Sequence, residues 1–337
     1  MPAFLLCLFA EFPFSMSTHL LGRISAAAVF GLAMASSHAA GFQRLNIPMD
    51  MNGPGLTGAI WYPCATPVTD IKVGAATIPG VLNCPVPDGR HPLIVISHGS
   101  AGSFLSHHDT AAALANAGFV VAAINHVGDN AQDRSRQGYL SIFSTRPREI
   151  RRLLDYMTTA WPQQAKVDPS KIGVFGFSRG GYTGLVLAGA KPDFQAGLAV
   201  CQDAPTLPMC RDIASGKIPQ QPYVQDARIK AAVIADPLNA FPGDALKAVK
   251  IPVQLWASEQ GGDGVTPARV EAVRQALPAT TGFQVAQGAG HFAFLAPCSP
   301  EQAQSSPAIC QDAAGFDRPQ FHHDFNAKVV EFFKANL

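Results

Sequence analysis

Charge is scarce in this sequence. Of 337 residues, 15% are Asp, Glu, Lys or Arg, and 25 basic against 24 acidic side chains leave a net charge of +1. There is no basic run and no acidic tail, which argues against nucleic acid or an anionic membrane surface as a partner. No CxxC spacing occurs, so the common zinc frameworks are missing. There is no internal repeat and no low-complexity tract, which excludes solenoids and disordered chains. What the chain does have is apolar material, 47% of its residues. That is enough for a substantial core in one large domain.

The N-terminus has its own pattern. From Met16 the sequence carries a positive Arg23, an apolar stretch over 24–35 and small residues at Ser37, Ala39 and Ala40. This is the layout of a secretory signal, cut after Ala39 or Ala40. The stretch is short for a membrane span of about 20 residues. The apolar segment before Met16 is broken by Glu11 and Pro13, so translation is expected to begin at Met16. Beyond the signal stand Cys64, Cys84, Cys201, Cys210, Cys298 and Cys310. An even count in an exported chain predicts disulfides, and neighbours in sequence pair as 64–84, 201–210 and 298–310. The expected location is therefore periplasmic or secreted, without stable membrane insertion after cleavage.

Along the mature chain, short apolar runs alternate with amphipathic segments. Strands are expected at 57–62, 92–97, 119–124, 171–175, 231–235, 252–257 and 282–286. Continuous apolar runs of this length fit parallel strands covered on both faces. Helices are expected at 109–117, from Pro147 onward, and at 178–190, 267–277 and 321–335. This alternation predicts an α/β fold, a mostly parallel central sheet with helices on both faces. Residues 1–40 are read as extension and signal, and 41–337 as one domain. Residues 63–92 read as mostly loop, 201–229 as an irregular insertion and 297–320 as a Cys-bounded loop.

The chemistry centres on Gly176-Phe-Ser-Arg-Gly180. A G-x-S-x-G between a strand and a helix is the setting of a nucleophile elbow, in which Ser178 is raised on a strained turn. Its flanking glycines keep side chains out of a place where backbones nearly touch. A serine hydroxyl needs a base. Of the histidines late in the chain, His291 follows the last strand in a Gly-rich loop, whereas His322 and His323 are expected on the surface of the final helix. The acid that orients the base is expected to be Asp263, just past a strand, with Asp236 and then Glu259 as alternatives. An oxyanion needs preorganised donors. The backbone N–H groups of Ser100, in Ser97-His-Gly99-Ser100, and of Arg179 are expected to supply them. His98 is expected to hold its loop by a backbone hydrogen bond. His126 and Asp129 either line the pocket or stabilise their loop. Asp109 reads as a helix N-cap, although His107, His108 and Asp109 are also a conceivable metal set. Trp61, Trp161 and Trp256 read as core or pocket wall.

The segments HGSAG, INHVGDN, GFSRGGYT and GAGHFAFL together resemble the α/β-hydrolase superfamily, over almost the whole mature chain. Within it they look like exported dienelactone-hydrolase-like proteins, and more distantly like platelet-activating-factor acetylhydrolases and cutinase-like polyester hydrolases. The resemblance carries onto Ser178, His291 and the Ser100 and Arg179 amides. Dienelactone hydrolases use a cysteine nucleophile where this chain has Ser178, so ordinary carboxylic esters are the implied substrates, small or polymeric. The polyester hydrolases place the acid like Asp263 and the acetylhydrolases like Asp236. The expectation is an exported serine esterase working through an acyl-enzyme, without cofactor or metal. The alternatives are an acyltransferase or peptidase with the same triad, or a binding protein on the same scaffold.

Overall fold

The computed structural model describes residues 39–74, 76–195, 201, 206–219, 223–278 and 280–337; the Met16 start and the expected signal before residue 39 lie outside them. In chain order, β1 (Ala39–Ile47), β2 (Leu56–Cys64), β3 (Thr69–Val73), β4 (Ala76–Leu82) and β5 (His91–Ser97) come first. Next are α1 (His108–Asn116), β6 (Val120–Ile124), α2 (Ser141–Thr159), β7 (Val167–Phe177), α3 (Arg179–Leu187) and α4 (Pro208–Ala214). The chain continues through β8 (Ile229–Ala235), β9 (Val253–Ser258), α5 (Pro267–Ala276) and β10 (Thr280–Ala286). It ends with α6 (Pro300–Ser305), α7 (Pro307–Cys310) and α8 (Arg318–Asn336).

The strands form one sheet in the order β10-β9-β8-β7-β5-β6-β2-β1-β4-β3. From β10 to β6 every pairing is parallel. The pattern inside these strands follows from their two covered faces. Leu93 and Val95 of β5 join one buried cluster with Ile150, Leu153 and Met157 of α2 and Leu185 of α3. Ile94 and Ile96 join the other, with Leu114 of α1 and Phe325, Val329 and Phe333 of α8. Successive side chains point to opposite faces, so an apolar run with no polar alternation is what such a strand requires.

This arrangement also locates the crevice. β5 and β7 are neighbours; the chain leaves β5 for α1 on one face and β7 for α3 on the other. Loops that diverge at the carboxyl ends of adjacent parallel strands open a cleft there.

Several boundaries depart from expectation. β1 escapes the sequence reading, and residues 63–92 hold the β3–β4 hairpin rather than loop alone. These strands are held by pairing: β1 runs antiparallel to β2 and parallel to β4, and β3 forms the edge beyond β4. The insertion 201–229 contains α4, and the loop 297–320 contains α6 and α7. α2 starts six residues before Pro147, which stands inside the helix. Proline has no N–H for the carbonyl four residues back; here the Phe143 carbonyl accepts the Tyr182 hydroxyl at 3.3 Å instead. Disulfides join Cys64–Cys84, Cys201–Cys210 and Cys298–Cys310, with Cα separations of 6.3, 5.4 and 5.8 Å. Trp61, Trp161 and Trp256 are all buried.

Candidate active site

β7 passes into α3 through Ser178, whose φ of 56° and ψ of −118° lie where a side chain is rarely tolerated. Backbone hydrogen bonds hold the bend. Ser178 N–H donates to Ala235 O at 2.9 Å, and Ser178 O accepts from Tyr182 N at 3.1 Å and Leu238 N at 3.0 Å. A Cβ on Gly176 would stand 2.3 Å from Gly180 O, so strand and helix backbones do meet there. A Cβ on Gly180 would stand 1.8 Å from Ser97 O, so this glycine clears the end of β5 instead. The two glycines seat the elbow against both its own helix and the neighbouring strand.

His291 opens a 3₁₀ turn, His291–Phe294, and is buried. Its ring lies 4.7 Å, centroid to centroid, from Phe177, the residue before Ser178. Its Nδ1 is 2.9 Å from Asp236 Oδ2. Its Nε2 is buried without a hydrogen-bond partner among the described residues. The other Asp236 oxygen accepts the Ser258 N–H at 2.7 Å, and the Ser258 hydroxyl bonds Oδ2. Three donors thus fix one carboxylate, which fixes the imidazole.

Asp263 is not at this position. It is exposed, on a left-handed turn residue with φ 48°, and Asp236 takes the place expected for it. The reason is strand order. β8 lies next to β7, so the residue after β8 stands beside the elbow; β9 is one strand further away. The 261–264 turn serves His291 differently, by accepting its backbone N–H at Gly261 O, 2.8 Å away. Glu259, the third candidate, accepts the Gly288 N–H at 2.6 Å on the outside of the loop.

The loop after β5 closes the other side. Gly99 packs against the elbow, where an added Cβ would be 3.3 Å from the Ser178 Cβ. The Ser100 N–H makes no hydrogen bond with a described residue. The Arg179 N–H, first in α3, has no acceptor within its helix. His98 is buried, which drives its pKa well below the ordinary value. The neutral ring donates from Nδ1 to Gly99 O at 2.6 Å and accepts the His126 N–H at Nε2, 3.2 Å away. It therefore shapes the loop, as its sequence position suggested.

Beneath this loop lies a charged cluster. Arg146 is fully buried, and burial pushes it down to about 10 against the pull of Asp129. Its Nε donates to Asp129 at 2.9 Å, and Nη1 and Nη2 donate to the carbonyls of His98 and Gly99 at 2.7 and 2.9 Å. Asp129 also receives Arg179 Nη1 at 2.9 Å. Beside it, Ser97 Oγ, His126 and Glu149 form a chain with contacts of 2.9 and 2.7 Å. The atom types mimic a catalytic triad, but Ser97 and His126 are 0% exposed, so no substrate carbonyl reaches that serine. Burial drives His126 well below its ordinary pKa and Glu149 up to about 7. The chain is therefore not a full ion pair. Arg146 and Glu149 were missed in the sequence, yet a signal was present. With Ile142, Ile150 and Leu153 they fall on one helical stripe, and charges in phase with an apolar stripe are buried charges.

A second missed set braces His291. His322 is buried, not on the surface of α8 as expected. It bonds Asp109 Oδ2 at 2.6 Å and Ala293 O at 2.8 Å. Burial alone would raise the Asp109 carboxyl; the His322 bond outweighs it and holds the group below the usual carboxylate range. Asp109 is thus no N-cap, and its partners are His322 and Asn326. His107 reaches Phe294 O at 3.1 Å. Two buried histidines therefore grip the carbonyls of the turn that carries His291.

The family model Hydrolase_4, described as serine aminopeptidase, S33, matches residues 89–218. That span includes the Ser100 loop and the elbow but ends before Asp236 and His291. No curated protein matches the chain. Among solved structures, ferulic acid esterase from Streptomyces cinnamoneus is similar, with a TM-score of 0.61 at 18% identity over 88% of this chain and 90% of that one.

Proposed function

The chain has the α/β-hydrolase fold, and on that premise we propose that it is a serine hydrolase of carboxylic esters. The observation that carries this reading is the buried Nε2 of His291, which has no hydrogen-bond partner among the described residues. Its ring is oriented by Asp236 and lies against the residue preceding a strained Ser178. An imidazole with a carboxylate on Nδ1 presents a lone pair at Nε2, the arrangement that takes a proton from a nucleophile. In this reading Ser178 attacks the ester carbonyl while His291 accepts its proton. The Ser100 and Arg179 amides hold the oxyanion. His291 then protonates the leaving alcohol, and water repeats the sequence on the acyl-enzyme. These steps draw only on protein groups and one water molecule.

The family-model match favours a second reading, release of an N-terminal amino acid. Such a substrate carries an ammonium group that wants a free carboxylate. The two carboxylates beside the elbow are already engaged, Asp129 with Arg146 and Arg179 and Asp236 with His291. This favours the ester. Ser178→Ala should reduce hydrolysis of a short p-nitrophenyl ester by roughly 10⁴-fold. Undiminished turnover by that variant would remove the assignment, and faster cleavage of an aminoacyl p-nitroanilide than of the ester would select the peptidase.

A further inference from the structure

We infer that Arg146, with Asp129, is the positioning device for the Ser100 oxyanion donor; the inference rests on the ester-hydrolase reading above. The warrant is the direction of one peptide plane. In a trans peptide the C=O and the following N–H point opposite ways. The Gly99 carbonyl is drawn inward by Arg146 Nη2 at 2.9 Å and by His98 Nδ1 at 2.6 Å. The N–H of Ser100, on the same plane, must therefore point outward, away from the guanidinium. It has no partner there among the described residues. The preceding carbonyl, His98 O, is tied by Nη1 at 2.7 Å, so two successive planes are fixed by one side chain.

Asp129 links this anchor to the side chain of Arg179, whose own N–H lies on the plane that Tyr182 and Leu238 hold through the Ser178 carbonyl. It takes Arg146 Nε on one oxygen, and Arg179 Nη1 reaches both its oxygens at 2.9 and 3.0 Å. The same Nη1 donates to Ser100 Oγ at 2.8 Å, and Asp129 Oδ1 lies 3.4 Å from both Ser100 Oγ and Ala101 N. The side chains of Ser100 and Arg179 are thus cross-linked through one buried carboxylate, while their backbone N–H groups are the proposed donors. A guanidinium suits this task because its planar fork serves three acceptors at once. Neither Arg146 nor Asp129 is assigned a contact with substrate; Arg146 acts through the peptide planes it holds, and Asp129 by holding Arg146.

The test separates positioning from general support of the fold. Wild type, Arg146→Lys and Asp129→Asn are compared on a p-nitrophenyl ester and its thionoester, in which sulfur replaces the carbonyl oxygen. A sulfur anion accepts hydrogen bonds poorly, so the oxygen-to-sulfur rate ratio reports the oxyanion donors. Loss of one donor costs about 10²–10³ in kcat. Arg146→Lys is expected to lower ester kcat about 10²-fold, leave KM within about threefold and compress the ratio about tenfold or more. Asp129→Asn, close in shape, should show the same compression at smaller amplitude, and it alone decides the matter if the lysine variant does not fold. Rates on both substrates falling in parallel, a rise in KM alone, or wild-type kinetics would overturn the inference. Ser178→Ala, run alongside, keeps the two claims apart: if it retains full activity, the hydrolase reading itself fails.

Discussion

At the scale of single residues, the orientation of His291 depends on one carboxylate. Asp236 sits at a positive φ of 42°, directly after β8, where its side chain can take Ser258 and His291 together. Asp263 has a similar backbone conformation but projects from the protein surface. The two aspartates therefore predict very different variants. Replacing a triad carboxylate by its amide presents the wrong hydrogen-bonding face to the imidazole and costs about 10⁴ in kcat in the best-studied case. Asp236→Asn is expected to lose activity on that order, and Asp263→Asn to stay within about threefold of wild type. Steady-state kinetics on one ester decides the ranking, and the reverse order would return the role to Asp263. Proximity in sequence to a Gly-rich turn made Asp263 the natural choice. The sequence carries no record of which strand lies beside β7.

At the scale of elements, α2 does more than cover the sheet. Its buried stripe delivers Arg146 to the Ser100 loop and Glu149 to His126, at the carboxyl ends of β5 and β6. Glu149 is raised to about 7 by burial, which outweighs the opposing pull of Arg146. Its ordinary value is 4.5. Between these values the unfolded chain releases this proton while the folded chain keeps it. The stabilisation is therefore complete below about pH 4.5, declines as pH rises to about 7, and is gone above that. The shift corresponds to about 3 kcal/mol at most. Glu149→Gln removes this slope, whereas the opposite dependence from buried neutral His126 is common to both proteins. The change in urea midpoint from pH 5 to pH 7.5 should thus be more positive for the variant than for wild type. Equal changes would show that Glu149 already ionises normally in the fold.

At the scale of the whole molecule, the three disulfides bear on where the protein works. Each closes a short loop, with sequence separations of 20, 9 and 12 residues. Such bonds persist in oxidising compartments. We propose on this basis that the protein is exported, to the periplasm or beyond. Among the described residues no helix is long and apolar enough to cross a membrane. The mature protein, unfolded without reductant, is expected to show no reactive thiol, and its amino-terminal sequence to begin near Ala40 or Gly41. Titration of several free thiols in the purified protein would remove the support for export.

Much of this organisation is a property of the sequence alone. Doubly covered strands demand unbroken apolar runs, so β5, β6, β7, β8 and β9 declared themselves. The elbow declared itself because two glycines bracket a serine between a strand and a helix, a pattern written in adjacent residues, although Gly180 is there to clear the distant end of β5. The histidine that meets Asp236 stood out because a Gly-rich loop after the last strand holds it. Tertiary structure alone decided the partners. Asp236 rather than Asp263 meets His291 because the loop after β10 folds back across β9 to the end of β8, and that approach of distant segments is encoded by no single one of them. Likewise Arg146, His107 and His322 became braces of the site only when α2, α1 and α8 were packed onto the sheet. A buried polar group must find a partner, and which one it finds is settled by how distant segments come together.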